Sequence, residues 1–160
     1  MIDAIDRKIL TLLQADGRMS NAAIARRVGL APSAIFERLR KLEDRGIVRG
    51  YTALVDPAAI GLGLLAYIMV RVTERPATDR VAEQIARAPE VLEVHNVAGE
   101  DCYLVKVRAV DTTDLSRILR KRIGAIKAIG GTRTIIVLST IKESTVLPVV
   151  ERATAGSATP

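Results

Sequence analysis

The chain has little of the chemistry that most catalytic and metal sites need. It contains one cysteine, one histidine, no tryptophan and only four aromatic residues in 160 positions. The single cysteine, Cys102, excludes an intrachain disulfide, is compatible with a reducing compartment, and leaves no cysteine cluster for a structural zinc. The scarcity of aromatic side chains disfavours proteins that hold single-stranded nucleic acid by stacking its bases.

Long hydrophobic runs are absent as well. The longest uncharged, mostly apolar run is 58–70, shorter than the about 18 residues that a membrane-spanning helix requires. Residues 1–6 lack the basic leader and apolar block of a signal peptide. We therefore expect a soluble, cytoplasmic protein. Its 49% hydrophobic content predicts an ordered core, and its net charge of +6 suggests a polyanionic partner.

Two short helices joined by a turn are predicted between residues 20 and 46. Ser20 is a suitable N-cap, and Met19 before it can pack on Ile24, four positions into the helix. Gly29 suits the left-handed residue that ends a helix, and Pro32 suits the first turn of the next one. This order of signals predicts a helix-turn-helix.

The second of these helices has two different faces. Ile35, Leu39 and Leu42 fall within about 60° of one another and predict a core stripe. The opposite side carries Ser33, Glu37, Arg40, Lys41 and Asp44, with Arg38 on a flank. Such a face suits either the major groove of DNA or a solvated surface on which Glu37 pairs with Lys41.

The charge balance favours double-stranded DNA as the partner. Between residues 18 and 49 there are eight basic and three acidic side chains, a net charge of +5. Because the exposed face mixes donors and acceptors, we expect sequence-specific binding with a non-specific component. The residues expected to enter the major groove are Ser33, Ala34, Glu37, Arg38 and Lys41. Those expected to hold phosphates are Arg26, Arg27, Arg45 and Arg49. The full predicted DNA-binding set adds Ser20, Asn21, Pro32, Phe36 and Arg40.

The chain is predicted to contain two domains. A first helix over 3–15, capped by Asp3, completes a DNA-binding domain over 1–50. Residues 47–55 are β-prone and predict a short wing or linking strand, which runs from the end of this domain into a linker over 51–61 that Asp56-Pro57 punctuates. The second domain spans 62–150, and the small polar tail 151–160 is expected to be disordered.

The second domain follows a βαββαβ pattern. Strands are predicted over 64–72, 91–97, 102–110 and 133–141, with a tight turn at Gly99-Glu100-Asp101 and a break at Gly130-Gly131. Helices are predicted over 77–88 and over a segment that ends near Ile126 and is capped by Asp111 or Thr112. The fold class is therefore α+β: an N-terminal (winged) helix-turn-helix domain plus a ferredoxin-like domain.

The first strand of that domain is apolar at successive positions. Residues 64–70 have the pattern of a strand buried on both sides, and residues 135–138 repeat it. Both helices of a βαββαβ unit cover the same face of the sheet, which leaves the other face open. We expect a second copy of the protein to cover it, as an obligate oligomer that also presents two DNA-reading helices.

Together these features resemble the Lrp/AsnC family of bacterial and archaeal transcriptional regulators. The resemblance covers residues from about 2 to about 150. It is carried by residues 6–10 (DRKIL), 32–35 (PSAI), 38–48 (RLRKLEDRGIV), 50–51 (GY) and 55–57 (VDP). It implies homodimers formed through the C-terminal domains, which assemble further into octamers that wrap DNA.

The resemblance also implies an amino-acid effector bound between C-terminal domains, near the turn that joins the second and third strands. The implied effector-binding residues are Val97, Ala98, Gly99, Glu100, Asp101, Cys102, Tyr103, Thr134 and Ile136. Exposed turn amides could bind a carboxylate, and Glu100 or Asp101 could receive an α-ammonium group. The alternative is an ordinary hairpin turn with solvated acids.

The chain departs from the common family pattern at two positions. Cys102 stands where many members have aspartate, which removes a plausible amine contact and favours inert packing for this thiol over redox sensing. Ala31 stands where an N-cap serine is usual, which costs the recognition helix about 1 kcal/mol of capping.

Two other functions share parts of this pattern. Some tetrapyrrole-modifying enzymes have the same architecture, but His95 is the only histidine and the sequence shows no catalytic, metal-binding or phosphate-binding motif. We therefore expect no enzymatic activity, no metal and no cofactor beyond the small effector. A sequence-tolerant architectural protein that compacts DNA remains the other alternative.

Overall fold

The computed structural model describes residues 2–73 and 79–149. Within them the chain forms two compact units, one made of residues 2–54 with 143–149 and the other of residues 55–142. The predicted tail 151–160 lies outside the described residues. No helix in the described part of the chain is long and apolar enough to span a bilayer.

The first unit is a helix-turn-helix built from α1 (Ala4–Ala15), α2 (Asn21–Val28) and α3 (Pro32–Asp44). Asp3 caps α1 in a reciprocal capping box with Asp6, and the Ser20 hydroxyl accepts the Ala23 N–H at 3.2 Å. Gly29 ends α2 in the left-handed region with φ of 81°. The start and stop signals predicted for these helices are thus confirmed.

The core of this unit joins all three helices. Ile9 of α1, Ile24 of α2 and Ile35 of α3 are completely buried, and Leu39 and Leu42 extend the α3 stripe. The stripe predicted for α3 is therefore confirmed. Burial of these side chains provides most of the stability of a unit this small, at roughly 1.5–3 kcal/mol for each large aliphatic.

The predicted wing or linking strand is absent from the structure. None of residues 47–61 lies in a strand, and the only regular element there is a short 3-10 turn, Ala58–Ile60. Gly50, with φ of 148°, interrupts the β-prone run. No strand in the described part of the chain lies beside this segment. A strand without a neighbour would leave its backbone N–H and C=O groups without hydrogen bonds, which explains why none forms here.

The second unit has the predicted ferredoxin-like order. Its elements are β1 (Leu64–Val72), α4 (Arg80–Ala86), β2 (Val91–Asn96), β3 (Tyr103–Ala109), α5 (Thr112–Ile118), a π turn (Leu119–Ile123) and β4 (Ile129–Ile136). The four strands form one antiparallel sheet in the order β2-β3-β1-β4. The bounds of β1 match the prediction, while Ala77 and Thr78 of the predicted first helix lie outside the described residues.

The last strand lies earlier in the chain than predicted. It spans Ile129–Ile136 rather than 133–141, and Gly130 and Gly131 are part of it rather than a break before it. A side chain at Gly130 would stand 3.0 Å from the Thr73 methyl group, and one at Gly131 would stand 3.4 Å from the Arg71 guanidinium. The neighbouring residues leave little room for a side chain at Gly130, so the sequence signal for a turn had another cause there.

The sheet has one covered face and one open face. Ala66, Ile68 and Val70 of β1 belong to the buried core beneath the helices, with Tyr103 and Val105 of β3. The open face is defined by alternation and strand register: Leu65, Tyr67, Met69, Arg71, Leu104, Lys106, Arg108, Arg133 and Ile135. Of these, Ile135 is 48% exposed although apolar.

Candidate DNA interface and effector site

The outer face of α3 presents a mixed set of chemical groups. Ser33, Phe36, Glu37, Arg40 and Lys41 are exposed, whereas Ala34 is half-buried. Phe36 is 54% exposed, which is unusual for an aromatic residue on a helix whose other side reaches the core. A face with a hydroxyl, a carboxylate, two cations and an exposed ring can donate, accept and contact a thymine methyl group.

The solvated-helix alternative expected Glu37 to pair with Lys41. Instead, Arg40 Nη2 lies 3.4 Å from Glu37 Oε2, with both side chains at least half exposed. An exposed pair of this kind contributes little stability. Arg40 can therefore exchange this contact for one with a base or a phosphate, and Glu37 for one with a base, at low cost.

Arg38 has a different environment from the rest of the predicted set. Its Nη1 donates to Asp3 Oδ2 and to Asp6 Oδ1, both at 2.7 Å. Asp6 is the one charged residue that is buried among the described residues. In the single chain the Arg38 guanidinium therefore joins α3 to α1, and its entry into the major groove stays a prediction.

The same network alters the pKa of Asp3. The Asp6 backbone N–H and the Arg38 guanidinium both hydrogen-bond the Asp3 carboxylate and lower its pKa below the ordinary value of 3.8. At the end of α3, the Tyr51 hydroxyl donates a hydrogen bond to Glu43 Oε1, with 2.9 Å between the two oxygens. Burial and this carboxylate raise the pKa of Tyr51. Neither contact was evident in the sequence, because the partners lie on different elements.

Further cations flank the α3 face within the same unit. Arg26 and Arg27 lie in the last turn of α2, Arg45 is the C-cap of α3, and Arg49 follows it. All four side chains are exposed. Ser20 uses its hydroxyl as a cap, and Asn21 beside it is half-buried. The four cations predicted from the sequence to hold phosphates thus lie at the surface.

The turn between β2 and β3 is exposed at its tip and anchored at its base. Gly99 has φ of 124°, a conformation that favours glycine, and Glu100 is exposed. The Cys102 N–H donates to the Val70 carbonyl at 2.8 Å, and the Val97 N–H donates to the Cys102 carbonyl at 3.0 Å. Ala98 is exposed, while Tyr103 is buried in the core.

The two acids of this turn are not equivalent. Asp101 Oδ2 accepts a hydrogen bond from Arg133 Nη2 at 3.0 Å, on the open face of the sheet. The two predicted β4 residues lie elsewhere: Thr134 and Ile136 pair with Ile68 and Ala66 and so lie on the covered face. The single chain therefore does not bring Thr134 and Ile136 together with the acid of Asp101.

His95 shows no arrangement typical of a catalytic site. Its Nε2 lies 3.2 Å from Glu93 Oε2 on the exposed side of β2, and Lys106 contacts the other oxygen of the same carboxylate at 3.2 Å. The described residues contain no group of three or more metal-binding side chains.

Each of the two units matches a known protein family. A winged helix-turn-helix DNA-binding model matches residues 2–49, and an Lrp/AsnC ligand binding domain model matches residues 65–147. The chain belongs to the Lrp/AsnC family of transcriptional regulators. It is a regulator that joins a helix-turn-helix DNA-binding domain to a ligand-binding domain.

Individual relatives span nearly the whole chain. It is 40% identical to the HTH-type transcriptional regulator FL11 of Pyrococcus horikoshii, over 92% of this chain and 97% of that protein. It is 37% identical to the leucine-responsive regulatory protein of Escherichia coli K12, over 94% and 93% of the two chains. These relatives are transcriptional regulators, from an archaeon and a bacterium.

Solved structures give the same result for the fold. The Neisseria meningitidis transcriptional regulator NMB0573, in complex with L-methionine, matches with a TM-score of 0.85 at 36% identity, over 93% of this chain and 97% of that one. The feast or famine regulatory protein Rv3291c of Mycobacterium tuberculosis, also complexed with L-methionine, matches with a TM-score of 0.85 at 33% identity, over 92% and 99%.

Both departures of this Lrp/AsnC chain from the common pattern have a structural outcome. Cys102 is 8% exposed and belongs to the core of the second unit, as its predicted packing role requires. Ala31 occupies the N-cap of α3 with extended backbone angles and provides no side-chain hydrogen bond. The recognition helix therefore begins without the cap that Asp3 and Ser20 give to α1 and α2.

Proposed function

We propose that this Lrp/AsnC regulator binds specific duplex DNA through α3 and adjusts that binding in response to an amino acid held by its second unit. The observation that carries the proposal is the exposed face of α3, with mixed hydrogen-bonding groups flanked by exposed arginines. Mixed donors and acceptors discriminate between base pairs, whereas a purely cationic face would bind phosphates alone.

The roles divide by position on the unit. We infer that Ser33, Glu37 and Lys41 contact base edges and that Phe36 supplies apolar contact. Arg26, Arg27, Arg45 and Arg49 then hold the phosphates and set the register. Arg38 is placed outside both groups as a positioning residue, because its guanidinium is bound to Asp3 and Asp6.

The open face of the sheet supports a homodimer as the working form. Tyr67 and Met69 are only half-buried in the single chain and Ile135 is 48% exposed. Leu138 and Ile141, just beyond β4, are 97% and 95% exposed. Apolar side chains exposed in this way mark a protein interface. A two-fold partner would cover them and give two α3 helices for a palindromic site. Dimers of this kind could assemble further into octamers.

The turn between β2 and β3 supports an amino-acid effector site. Two solved relatives carry L-methionine, and in the turn of this chain Ala98, Gly99 and Glu100 are exposed. We infer that Glu100, rather than Asp101, receives the α-ammonium group, because Asp101 is bound to Arg133. A partner chain would have to complete the site if Thr134 and Ile136 contribute.

The experiment that tests the DNA function is selection of duplexes by the whole protein from a random pool. Fluorescence anisotropy then compares a selected duplex with a shuffled one across salt concentrations. We expect a preference of about a thousandfold or more. Equal, steeply salt-dependent binding of both duplexes would instead indicate the architectural protein. We further propose that the protein works in the cytoplasm, on the nucleoid.

The effector is tested on the same selected duplex with L-methionine and then with the other amino acids singly. We expect at least one of them to change the apparent affinity, and Gly99→Trp to abolish the change while the assembly mass stays the same. Glu100→Gln should weaken the response. The matched control is Asp111→Asn, which neutralises an acid just beyond the end of β3 that is opposite the turn. A full response in Gly99→Trp would place the effector elsewhere.

A further inference from the structure

A second concentration of positive charge lies in the C-terminal unit. Residues 117–127 contain five basic side chains and no acidic one. Residues 18–49 of the helix-turn-helix carry a net charge of +5, and the remainder of the chain has eleven basic against fifteen acidic side chains. These two segments therefore hold the entire positive excess of a protein whose net charge is +6. DNA reading by α3 accounts for the first segment alone.

The π turn Leu119–Ile123 determines how these cations are displayed. The Gly124 N–H donates to the Leu119 carbonyl at 2.7 Å, which closes the five-residue turn. Ile118 and Ile123 on either side of the turn are both completely buried. In a regular α-helix, residues five apart point about 140° away from each other. The wider turn lets both isoleucines face the core, while residues 120–122 between them lie on the surface.

The five cations of this segment differ in their ion pairs within the part of the chain that the structure describes. Arg117 Nη2 lies 2.8 Å from Glu90 and 2.7 Å from Asp114, and Arg122 Nε lies 3.6 Å from Glu90. Arg120, Lys121 and Lys127 are exposed and form no ion pair with any other residue that the structure describes. We call these three residues the cationic turn.

We propose that the cationic turn is a second DNA-contacting surface, which binds backbone phosphates of the duplex that α3 holds. The inference rests on the proposed DNA function, since α3 must first hold the duplex. Its chemistry is that of a polyanion site: three unpaired cations with no neighbouring acid in the segment. Residues 117–127 expose no large hydrophobic side chain, so the surface lacks the apolar centre that a protein interface needs. Contacts to phosphates alone extend the bound length of DNA without adding base specificity.

The test compares the whole wild-type protein with the triple variant Arg120→Gln, Lys121→Gln, Lys127→Gln on two duplexes. The short duplex is about 25 bp and holds two half-sites one helical turn apart. The long duplex contains the same selected site at the centre of a sequence several times longer. Each neutralised phosphate contact removes about 0.9 from the slope of log K against log salt. The proposed homodimer carries six of these cations, so we expect the triple variant to lose up to about 5 from that slope on the long duplex and to keep the wild-type slope on the short one.

A charge-conserving variant, Arg120→Lys, Lys121→Arg, Lys127→Arg, is the matched control and should retain the wild-type slope on both duplexes. The three side chains are exposed, so circular dichroism and the melting temperature should not change in either variant. An unchanged slope of the triple variant on the long duplex would overturn the proposal. A fall in its assembly mass by light scattering would also overturn it, since the cations would then serve a protein contact. If the wild type itself shows no preference for the selected site, it is the proposed DNA function that fails.

Discussion

Arg38 and Asp6 are joined by a 2.7 Å contact between Nη1 and Oδ1, and this contact links the recognition helix α3 to α1. Asp6 is 8% exposed, and it also accepts the Asp3 N–H in the capping box. One carboxylate thus stabilises the start of α1 and fixes the orientation of α3. A basic residue that the sequence places on the flank of the DNA-facing side of α3 thus holds two helices of this unit together.

Replacement of Arg38 should therefore affect stability more than base preference. Arg38→Met leaves the Asp6 carboxylate without its cationic partner, which should destabilise the first unit by about 1–2 kcal/mol. Thermal unfolding followed by circular dichroism measures this loss. Arg40→Met is the matched control, since the Arg40 side chain is 59% exposed and its removal should leave the melting temperature nearly unchanged. At temperatures below the melting transition, Arg40→Met should bind DNA more weakly than Arg38→Met does. Equal melting temperatures for the two variants would contradict this assignment.

The capping network should also make the first unit sensitive to acid. The pKa of Asp3 is lowered in the folded protein, first by the Asp6 backbone N–H and then by Arg38. A lowered folded pKa means that the stabilisation is complete above the ordinary pKa near 3.8 and is lost as pH falls through the folded value. Denaturant unfolding from about pH 6 to pH 2 should show a steeper loss below pH 4 in the wild type than in Asp3→Asn. Parallel pH profiles for the two proteins would show that this carboxylate is not coupled to folding.

The uncapped start of α3 offers a stabilising substitution. Ala31 already has the extended angles of an N-cap, φ −70° and ψ 147°, but provides no side-chain acceptor. Ala31→Ser should add about 1 kcal/mol of stability. In a unit this small the melting temperature should rise by several degrees. Ala31→Val, which adds bulk without an acceptor, should give no increase. If the two variants melt together, the first-turn amides of α3 already have another partner.

The open face of the sheet should govern assembly. Met69→Glu places a charge between Leu104 of β3 and Arg133 of β4, on the face that we propose a second copy covers. Light scattering at micromolar concentration should show a dimer or larger assembly for the wild type and a smaller species for the variant. Gln84→Glu adds the same charge to the exposed side of α4 and should keep the wild-type mass. A wild-type monomer would refute the dimer, as would a variant of unchanged mass.

Local signals predicted the elements that depend on neighbours in the sequence. The Ser20 cap, the left-handed Gly29 and the apolar run that sets the bounds of β1 each act over a few residues, and the structure confirms all three. The Gly130-Gly131 pair was misinterpreted because its cause is not local. Glycine there allows close approach to Thr73 and Arg71, which lie almost 60 residues earlier in the chain.

The functional residues divide in the same way. Composition and helical periodicity alone predicted a basic helix-turn-helix and the exposed side of α3. They could not separate Arg38 from Arg40, since the difference depends on two aspartates over 30 residues away. They also gave Asp101 and Glu100 equal weight, although Arg133 of β4 binds only Asp101 among the described contacts.

The sequence by itself determined the order of elements, the family and the exposed side of α3, because caps, periodicity and charge density are properties of short stretches of chain. Tertiary structure alone decided that Arg38 is bound to two aspartates, that Arg133 binds Asp101 of the β2–β3 turn, and where β4 begins. Those outcomes depend on which distant residues the fold brings within hydrogen-bonding distance, and a hydrogen bond that saturates a charged side chain removes it from the surface available to a ligand.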